Sequence, residues 1–400
     1  MITTRGNYRI KDIFLDNCNW WYFFLGHWHL VRSAIVEAVV KMLSCKTKFR
    51  GYEKYRCPQC NYIRIVTHTC KSRFCSSCGK KETEKWIEKN FECLPKTTWQ
   101  HITFTMPDVF WDLFWLNRDL FGCISGIAAG VVQDLAKKKN ILLGIFAMLH
   151  TFGRDMKRNV HIHLSTTTGG LTLDYKQWKK ITFHYISLMK MWRTRIIQMF
   201  RKAFLDGKLK LPKALKYLVR YEDFNRMLNE YYAVSWNVHA AQPNKDHAKN
   251  VNYLARYLKR PPMADTRIEN YDGDSVTFNF LDHHTGEHDR MTLSVPDFIK
   301  KLIQHIPDKN FRLIRYYGWL SNRTRTKLLP VVRKLLDLPV LIKKTVTSFR
   351  SLMMKEFYYD PLMCPFCEIP LELACVVNAE STASILQNHK KLALPAGTLL

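Results

Sequence analysis

Residues 142–152, LLGIFAMLHTF, and residues 160–168, VHIHLSTTT, are two apolar runs separated by the polar segment 153–159, GRDMKRN. Apolar runs of this length on either side of a polar, glycine-led turn predict the two strands of an antiparallel hairpin. Successive side chains of a strand point to opposite faces. His161 and His163 therefore share one face, and the alternating apolar residues Val160, Ile162 and Leu164 share the other. The second run therefore predicts a strand with one side toward a core and two imidazoles on the opposite side.

Segments on both sides of this hairpin predict a mixed fold. Strands are expected at 99–105, at 232–240, on either side of Thr285-Gly286 and at 311–317. Helices are expected within the first 45 residues, at 80–91, from Pro107 to Lys139, at 175–205, and from about Asp246 to the prolines at 261 and 262. We predict an α+β protein with a central antiparallel sheet flanked by helices and a helical zinc-binding module at the amino end.

The order of these segments suggests four domains. They are a helical, cysteine-rich domain (1–95), a domain that contains the hairpin (96–262), a strand and helix region (263–350), and a tail (351–400).

The charge of the chain favours a polyanionic partner. The 400 residues include 62 Lys and Arg against 34 Asp and Glu, a net charge of +28, and 47% are hydrophobic, which excludes a disordered or fibrous chain. Such a field attracts nucleic acid or an anionic membrane surface. The apolar stretch Trp20–Met42 carries too many polar side chains for an uninterrupted membrane span, and residues 1–12 lack a signal core. We expect a cytoplasmic, nucleoid-associated protein whose twelve cysteines are thiols or metal ligands.

Two CxxC pairs predict structural zinc. Fourteen residues separate Cys57-Pro-Gln-Cys60 from Cys75-Ser-Ser-Cys78, a spacing typical of zinc ribbons, and each pair can supply one edge of a tetrahedron. We predict one site formed by these four cysteines. Cys70 and His68 lie in the intervening loop and compete as ligands, although local packing is the preferred interpretation of His68. The module also contains basic residues that can contact the phosphate backbone of a nucleic acid; they are Lys54, Arg56, Lys71 and Arg73.

A third pair, Cys364-Pro-Phe-Cys367, is only half a site. Cys375 follows it, so a complete second zinc site would need a histidine such as His389 or a ligand from elsewhere in the chain.

His161 and His163 together can chelate one divalent ion and leave positions open for a substrate oxygen. The alternation of histidines and apolar residues here is most often that of a half-buried strand with no metal. A metal site would need a third ligand. His150 lies on the partner strand of the predicted hairpin and is the favoured choice, while Asp155 in the turn is the alternative.

The helix before Pro261 contains Tyr253-Leu-Ala-Arg-Tyr257, in which the spacing of four places both phenols on one face. Packing on the sheet is the ordinary interpretation of such a pair. Nearby cations, which are Arg256, Lys259 and Arg260, favour a surface that contacts DNA. A tyrosine has a pKa of about 10 and needs assistance to act as a nucleophile.

The combination of motifs resembles the HUH endonucleases, and among them the two-tyrosine rolling-circle transposases of bacterial insertion sequences. A cysteine-rich amino end, the strand from Trp99 to Pro107, the paired histidines and the Tyr-x-x-x-Tyr helix occur here in that family's order. The segments His150-Thr-Phe-Gly-Arg154 and Arg315-Tyr-Tyr-Gly-Trp319 are also similar to that family's. In two places the chain departs from it: Ser occurs in the second CxxC, and Val160 precedes the histidine pair, where Pro is frequent.

The resemblance implies that His161 and His163 bind Mg²⁺ or Mn²⁺ and that Tyr253 and Tyr257 are nucleophiles. It implies that residues 1–95 bind zinc and DNA and that residues 96–262 form the catalytic domain. This domain would cleave single-stranded DNA at insertion-sequence ends and targets through a 5′-phosphotyrosine. The number of chains in the active assembly stays open, and a homo-oligomer is one possibility. Two other functions remain: a plasmid replication initiator or relaxase with the same chemistry, and a non-catalytic zinc-dependent DNA-binding regulator.

Overall fold

The computed structural model describes residues 8–256, 261–282, 285–340, 350–351, 353–354 and 358–388. Its helices are α1 (Ile10–Leu15), α2 (Asn19–His27), α3 (Ser33–Leu43), α4 (Ser76–Cys93), α5 (Trp111–Leu116), α6 (Phe121–Lys137), α7 (Tyr185–Leu205), α8 (Tyr221–Ala233), α9 (His247–Arg256), α10 (Val295–Ile303), α11 (Arg325–Leu335) and α12 (Thr382–Gln387). Its strands are β1 (Tyr52–Arg56), β2 (Ile63–Thr67), β3 (Trp99–Phe104), β4 (Ile141–Phe152), β5 (Arg158–Thr172), β6 (Trp178–Lys180), β7 (Val238–Ala240), β8 (Ile268–Tyr271), β9 (Ser275–Leu281), β10 (His288–Ser294), β11 (Ile314–Gly318) and β12 (Glu372–Val377).

The chain divides into two compact units that do not follow the order of the sequence. Unit 1 combines Met1–Glu82, Lys259–Asp308 and Ile342–Leu400, and unit 2 combines Thr83–Leu258 and Lys309–Leu341. The region 263–350, expected as one domain, is therefore shared between the two units, and the tail expected at 351–400 groups with the amino-terminal segment.

Unit 2 is built on an antiparallel sheet with the strand order β11-β4-β5-β3-β7, and β6 pairs with the far end of β5. The predicted hairpin is confirmed, because β4 pairs with β5 along most of both strands. One face, which includes Ile145, Ile162 and Leu164, belongs to the main core together with apolar side chains of α5–α8. The opposite face, with Phe146 and Met148, packs against a smaller core from α11 and nearby segments. The α+β prediction is confirmed.

Helix α6 is the most apolar helix packed on this sheet. The described residues contain one segment, Arg118–Lys137, that is long and apolar enough to cross a bilayer by length and composition alone. Its side chains Ile124, Ala128 and Val132 are fully buried in the main core of unit 2. This burial explains its apolar composition.

The segment Arg315-Tyr-Tyr-Gly-Trp319 attaches the edge strand β11 to β4. Gly318 has a φ of +61°, and an added Cβ would lie 1.7 Å from the carbonyl oxygen of Leu143. The Trp319 side chain is fully buried and lies over Gly144, where an added Cβ would come within 2.3 Å of the indole. Both glycines are therefore required by close approach, and at Gly318 also by backbone conformation.

Three predictions of secondary structure were wrong. The helix expected at 175–205 begins only at Tyr185, because residues 172–177 form a turn and Trp178–Lys180 pairs with β5. In the strand expected at 232–240, α8 continues to Ala233 and only Val238–Ala240 is extended into the sheet. In the tail 351–400, where no helix or strand was predicted, the chain forms β12 and α12.

Unit 1 contains the antiparallel sheets β12-β1-β2 and β10-β9-β8 together with α1–α3, α10 and α12. The helices expected in the first 45 residues are confirmed as α1–α3, whose side chains Phe14, Trp20 and Leu43 are fully buried. The strand pair around Thr285-Gly286 is confirmed as β9 and β10, which pair in register from Ser275 to Leu281.

Candidate active site and metal centres

Three histidines converge at one end of the unit 2 sheet. In the β4–β5 register His150 lies opposite His161, and Met148 lies opposite His163. The nitrogen ligand atoms of the three rings all lie within 4.8 Å of one another, and 3.1 Å separates Nε2 of His161 from Nε2 of His163. Two adjacent ligands of an octahedral ion with bonds of 2.0–2.1 Å are about 3.0 Å apart. The imidazoles therefore have the spacing needed to share one ion.

Neighbouring groups orient the two histidines of β5. The Nδ1–H of His161 donates to the carbonyl oxygen of Asn159 at 3.0 Å, which directs the lone pair of Nε2 toward the other rings. Nδ1 of His163 lies 3.4 Å from Oγ1 of Thr103 on β3. Desolvation lowers the pKa of His161 to about 4 and holds the pKa of His163 well below its usual value. Both rings are therefore neutral at pH 7, the form that binds metal.

The structure favours His150 over Asp155 as the third member of this group. Among the described residues, the metal-ligating side chains that converge with His161 and His163 include His150 and not Asp155. In the turn, the carboxylate of Asp155 accepts from the backbone N–H of Lys157 at 3.0 Å and lies 3.3 Å from its ammonium.

Tyr253 lies over the same face of the sheet as the three histidines. Its ring stacks on His101 with the centroids 3.8 Å apart and an angle of 25° between the planes. His101 lies opposite Ser165 on β5, and Thr103, two positions further along β3, lies opposite His163. Two residues of a strand span about 7 Å. His101, and with it the Tyr253 ring, therefore lies on the same face as His163, two strand positions along β3 from the residue opposite it.

Helix α9 is seated by side chains that precede Tyr253. Val251 is buried in the smaller core of unit 2, and Nδ2 of the buried Asn250 donates to the carbonyl oxygen of Asn244 at 3.0 Å. These contacts fix the turn of the helix that presents Tyr253 to the sheet. Tyr257, Lys259 and Arg260 lie outside the described residues, as does the side chain of Arg256.

Sequence reasoning missed His101 and Thr103, which line the same face. His101 is buried, its Nδ1 contacts Oγ of Ser165, and burial lowers its pKa to about 4. A signal was present, because these residues alternate with Ile102 on β3 as His161 and His163 alternate with Ile162 on β5.

The predicted four-cysteine site was wrong in its grouping. Cys75 and Cys78 converge with Cys45 and Cys70, whereas Cys57 and Cys60 converge with Cys364 and Cys367. The reason lies in the hairpin of β1 and β2, which places Cys57 and Cys60 at its turn. The second pair follows after β2 has returned to the other end of the hairpin. Five-residue strands separate those ends by roughly 14 Å, too far for one tetrahedral ion.

The group of Cys45, Cys70, Cys75 and Cys78 has the geometry of a zinc site. Sγ of Cys78 lies 3.6 Å from Sγ of Cys45 and 3.6 Å from Sγ of Cys70. Four sulfurs around zinc at 2.3 Å have tetrahedral edges of about 3.8 Å. Cys70 therefore takes the ligand position for which it was a candidate. His68 lies outside both groups, with Nε2 3.8 Å from a carboxylate oxygen of Glu53.

Two basic residues beside the first cysteine group differ in exposure. Lys71 is exposed, which suits a phosphate contact. Arg73 is half-buried, and desolvation lowers the pKa of its guanidinium to about 10.

Two known protein families match separate parts of the chain. The family described as "Transposase zinc-binding domain", of the IS91 type, matches residues 18–106. The family described as "Putative transposase" matches residues 144–327, a range that contains the three histidines and Tyr253. The transposase for insertion sequence element IS801 from Pseudomonas savastanoi pv. phaseolicola is 33% identical over 391 residues, which cover 96% of this chain and 93% of that protein.

The chain belongs to the IS91-type transposases. A second relative, the putative transposase y4qJ of Sinorhizobium fredii (strain NBRC 101917 / NGR234), is 29% identical over 305 residues, covering 74% of this chain and 77% of that protein. No solved structure matches the chain. The zinc-binding match of this transposase covers six of the eight clustered cysteines and excludes Cys364 and Cys367.

Proposed function

We propose that this transposase cleaves and rejoins single-stranded DNA through a phosphotyrosine, and thereby moves an insertion sequence by a rolling-circle mechanism. The observation that carries the proposal is the convergence of three imidazoles and the Tyr253 ring on one face of the sheet. A regulator that only binds DNA has no need of a metal-ligating face beside a phenol.

The reaction that this face supports is an in-line transfer of a phosphoryl group. The Tyr253 oxygen forms a bond to the scissile phosphorus, and the bond from phosphorus to the 3′ oxygen breaks, leaving a 5′-phosphotyrosine. The tyrosine gives up its proton and the leaving 3′ oxygen gains one. Because one phosphodiester replaces another, attack by a 3′-hydroxyl on the phosphotyrosine reseals a strand without ATP. When bound, the metal polarises the phosphate and stabilises the charge that develops on it.

The residues of β3 and β5 orient the groups of this reaction. Thr103 and the carbonyl of Asn159 hold the rings of His163 and His161. His101 supports the Tyr253 ring, and its low pKa keeps it neutral, so the phenol faces an uncharged imidazole at pH 7.

We propose Tyr257 as a second nucleophile, because residues four apart on a helix share a face. Two phenols one helical turn apart would permit a second cleavage while the first covalent intermediate persists.

We propose Mn²⁺ or Mg²⁺ as the catalytic ion, with Mn²⁺ the better ligand match. Imidazole nitrogen is a donor that transition metals accept readily, whereas Mg²⁺ prefers oxygen. The substrate oxygen and waters would supply the remaining positions.

Single-stranded DNA at the element ends and at the target is the proposed substrate, and the cytoplasm at the nucleoid is the proposed location. The net charge of +28 supports a polyanionic partner. A replication initiator or relaxase would use the same chemistry, but both named relatives and both family matches are transposases.

The test is a covalent adduct on a denaturing gel, using oligonucleotides from the element ends and Mn²⁺. We expect an adduct with the unaltered chain, a reduced amount with Tyr253→Phe or Tyr257→Phe, and none with the double variant. His161→Ala should lose cleavage and retain DNA binding. Tyr217→Phe, which alters an exposed phenol of the same unit, is the matched control and should form a normal adduct. Adduct formation by the double variant would refute the assignment of the nucleophiles.

A further inference from the structure

We propose that Cys57, Cys60, Cys364 and Cys367 bind a second zinc ion that fastens the segment 364–377 to the β1–β2 hairpin. The matched zinc-binding domain ends at residue 106, so two of these ligands come from far beyond it. The proposal concerns the architecture of unit 1 and does not rest on the strand-transfer chemistry.

The two CxxC pairs form loops with the same backbone geometry, which we call knuckle A (57–62) and knuckle B (364–369). In knuckle A the N–H of Cys57 donates to the oxygen of Tyr62 at 2.8 Å, and the N–H of Asn61 donates to the oxygen of Cys57 at 3.1 Å. In knuckle B the N–H of Cys364 donates to the oxygen of Ile369 at 2.8 Å, and the N–H of Glu368 donates to the oxygen of Cys364 at 3.0 Å.

Both knuckles also place the residue after the second cysteine in the left-handed region. The φ angles are 60° at Asn61 and 53° at Glu368. Asparagine tolerates this conformation, but a glutamate there is uncommon. Another interaction must therefore offset the conformational cost at Glu368. Binding of one ion by the two sulfurs of the loop would do so.

The sulfurs of the two knuckles have the geometry of a single tetrahedral site. All four Sγ atoms lie within 4.8 Å of one another, and Sγ of Cys60 is 3.6 Å from Sγ of Cys364, across 304 positions of sequence. This distance is close to the tetrahedral edge of about 3.8 Å for zinc thiolates. Cys57 and Cys364 are almost completely buried, and the N–H of Cys60 points at Sγ of Cys57 at 3.5 Å. A bound cation stabilises a buried cluster of cysteine sulfurs of this kind.

The apolar packing immediately around these four cysteines is small. β12 pairs with β1, but every residue of β12 is exposed. The local apolar cluster has three buried members, Cys57, Cys364 and Leu371, of which two are themselves ligands. The rings of Tyr62 and Phe366 add one edge contact at 5.3 Å. A core this small needs a metal or a disulfide for stability, and structural zinc can contribute folding free energy directly.

The test is the zinc content of the purified full-length chain and its variants, measured by mass spectrometry of the metal. We expect two zinc ions per chain, falling to one in Cys364→Ser/Cys367→Ser and to one in Cys57→Ser/Cys60→Ser. Because the two knuckles share an ion, the variant with all four substitutions should also retain one. Cys375→Ser, which changes an exposed cysteine of β12 outside both groups, is the matched control and should retain two.

Two outcomes of the zinc measurement would overturn the proposal. Retention of two zinc ions by Cys364→Ser/Cys367→Ser would show that knuckle B is not a ligand. Separate losses that add in the fourfold variant would show that each knuckle binds its own ion.

Hydrogen exchange gives a second measurement: Cys57→Ser/Cys60→Ser should remove protection of the β12 amides, and unchanged protection contradicts the fastening. If a variant does not fold, cobalt can replace zinc in the unaltered chain. Two cobalt ions with four-thiolate spectra are then expected, and a single such ion refutes the second site.

Discussion

Substitution of Gly318 by alanine tests whether the Arg315–Trp319 segment acts by fixing an edge strand. The added Cβ would lie 1.7 Å from the carbonyl oxygen of Leu143, a backbone atom that cannot rotate away. Three effects contribute: a left-handed alanine costs about 1 kcal/mol, loss of the hydrogen bond from Trp319 N–H to that oxygen costs about 1 kcal/mol, and displacement of packed groups costs about 1–3 kcal/mol. We expect Gly318→Ala to lower the free energy of unfolding of unit 2 by about 3–5 kcal/mol.

Gly207 supplies a matched control in the same unit. Its φ is +66°, close to the +61° of Gly318, but an added Cβ meets no atom within 4 Å. Gly207→Ala should therefore show the conformational cost alone, about 1 kcal/mol. For a domain of this size, 1 kcal/mol corresponds to about 2–4 °C in Tm.

Differential scanning calorimetry of both variants and the unaltered chain is the assay. We expect the Tm of the unit 2 transition to fall by about 2–4 °C in Gly207→Ala and by about 6–20 °C in Gly318→Ala. Equal shifts in the two variants would show that the contact with Leu143 is relieved without cost, and the structural explanation of this segment would be refuted.

Three further predictions concern the site and the zinc unit. Tyr253→Ala should destabilise unit 2 by about 0.5–1.5 kcal/mol more than Tyr253→Phe, because only phenylalanine keeps the stack on His101; equal denaturant midpoints would contradict this. The pKa of His101 is about 4 in the folded chain and about 6.5 in the unfolded chain, so the unfolded chain binds the proton more readily. The contribution of His101 to the free energy of unfolding is therefore complete above pH 6.5 and is lost as the pH falls toward 4. His101→Gln should therefore reduce the loss of stability on acidification by up to about 3 kcal/mol, and an unchanged pH profile would refute the assignment. Removal of zinc by a chelator and a thiol-reactive mercurial should abolish the unfolding transition of unit 1 and spare that of unit 2, whose two cores contain none of the clustered cysteines; loss of both transitions would contradict this.

The histidine cluster was predictable because its signal is local. Alternation at Val160–Leu164 fixes which side chains share a face, and a short turn fixes the partner strand that carries His150. The same logic, applied to Gln100–Thr103, would have found His101 and Thr103. The proximity of Tyr253 to this face depends on the packing of α9, which periodicity alone does not give.

The zinc grouping was not predictable, because it depends on contacts distant in sequence. Spacing between cysteines shows which pairs can form an edge of a tetrahedron, but it does not show which edges meet. Cys45, a lone cysteine at the end of a helical segment, and Cys364, near the other end of the chain, are brought in only by the tertiary fold. The strand expected at 232–240 failed for a related reason: Trp236 is buried by packing and donates its indole N–H to the oxygen of Tyr231, without a partner strand.

The pairing of β1 with β12 has a consequence for the order of events during synthesis. β1 leaves the ribosome early, but its partner residues from 372 onward follow more than 300 residues later. At about 5–20 residues per second, the delay is roughly 15–60 s. For that time one edge of the hairpin has its backbone donors and acceptors open to other strands. A copy interrupted by a premature stop codon would keep that edge open permanently, so damaged copies of the gene should yield a protein that is prone to associate and to be degraded.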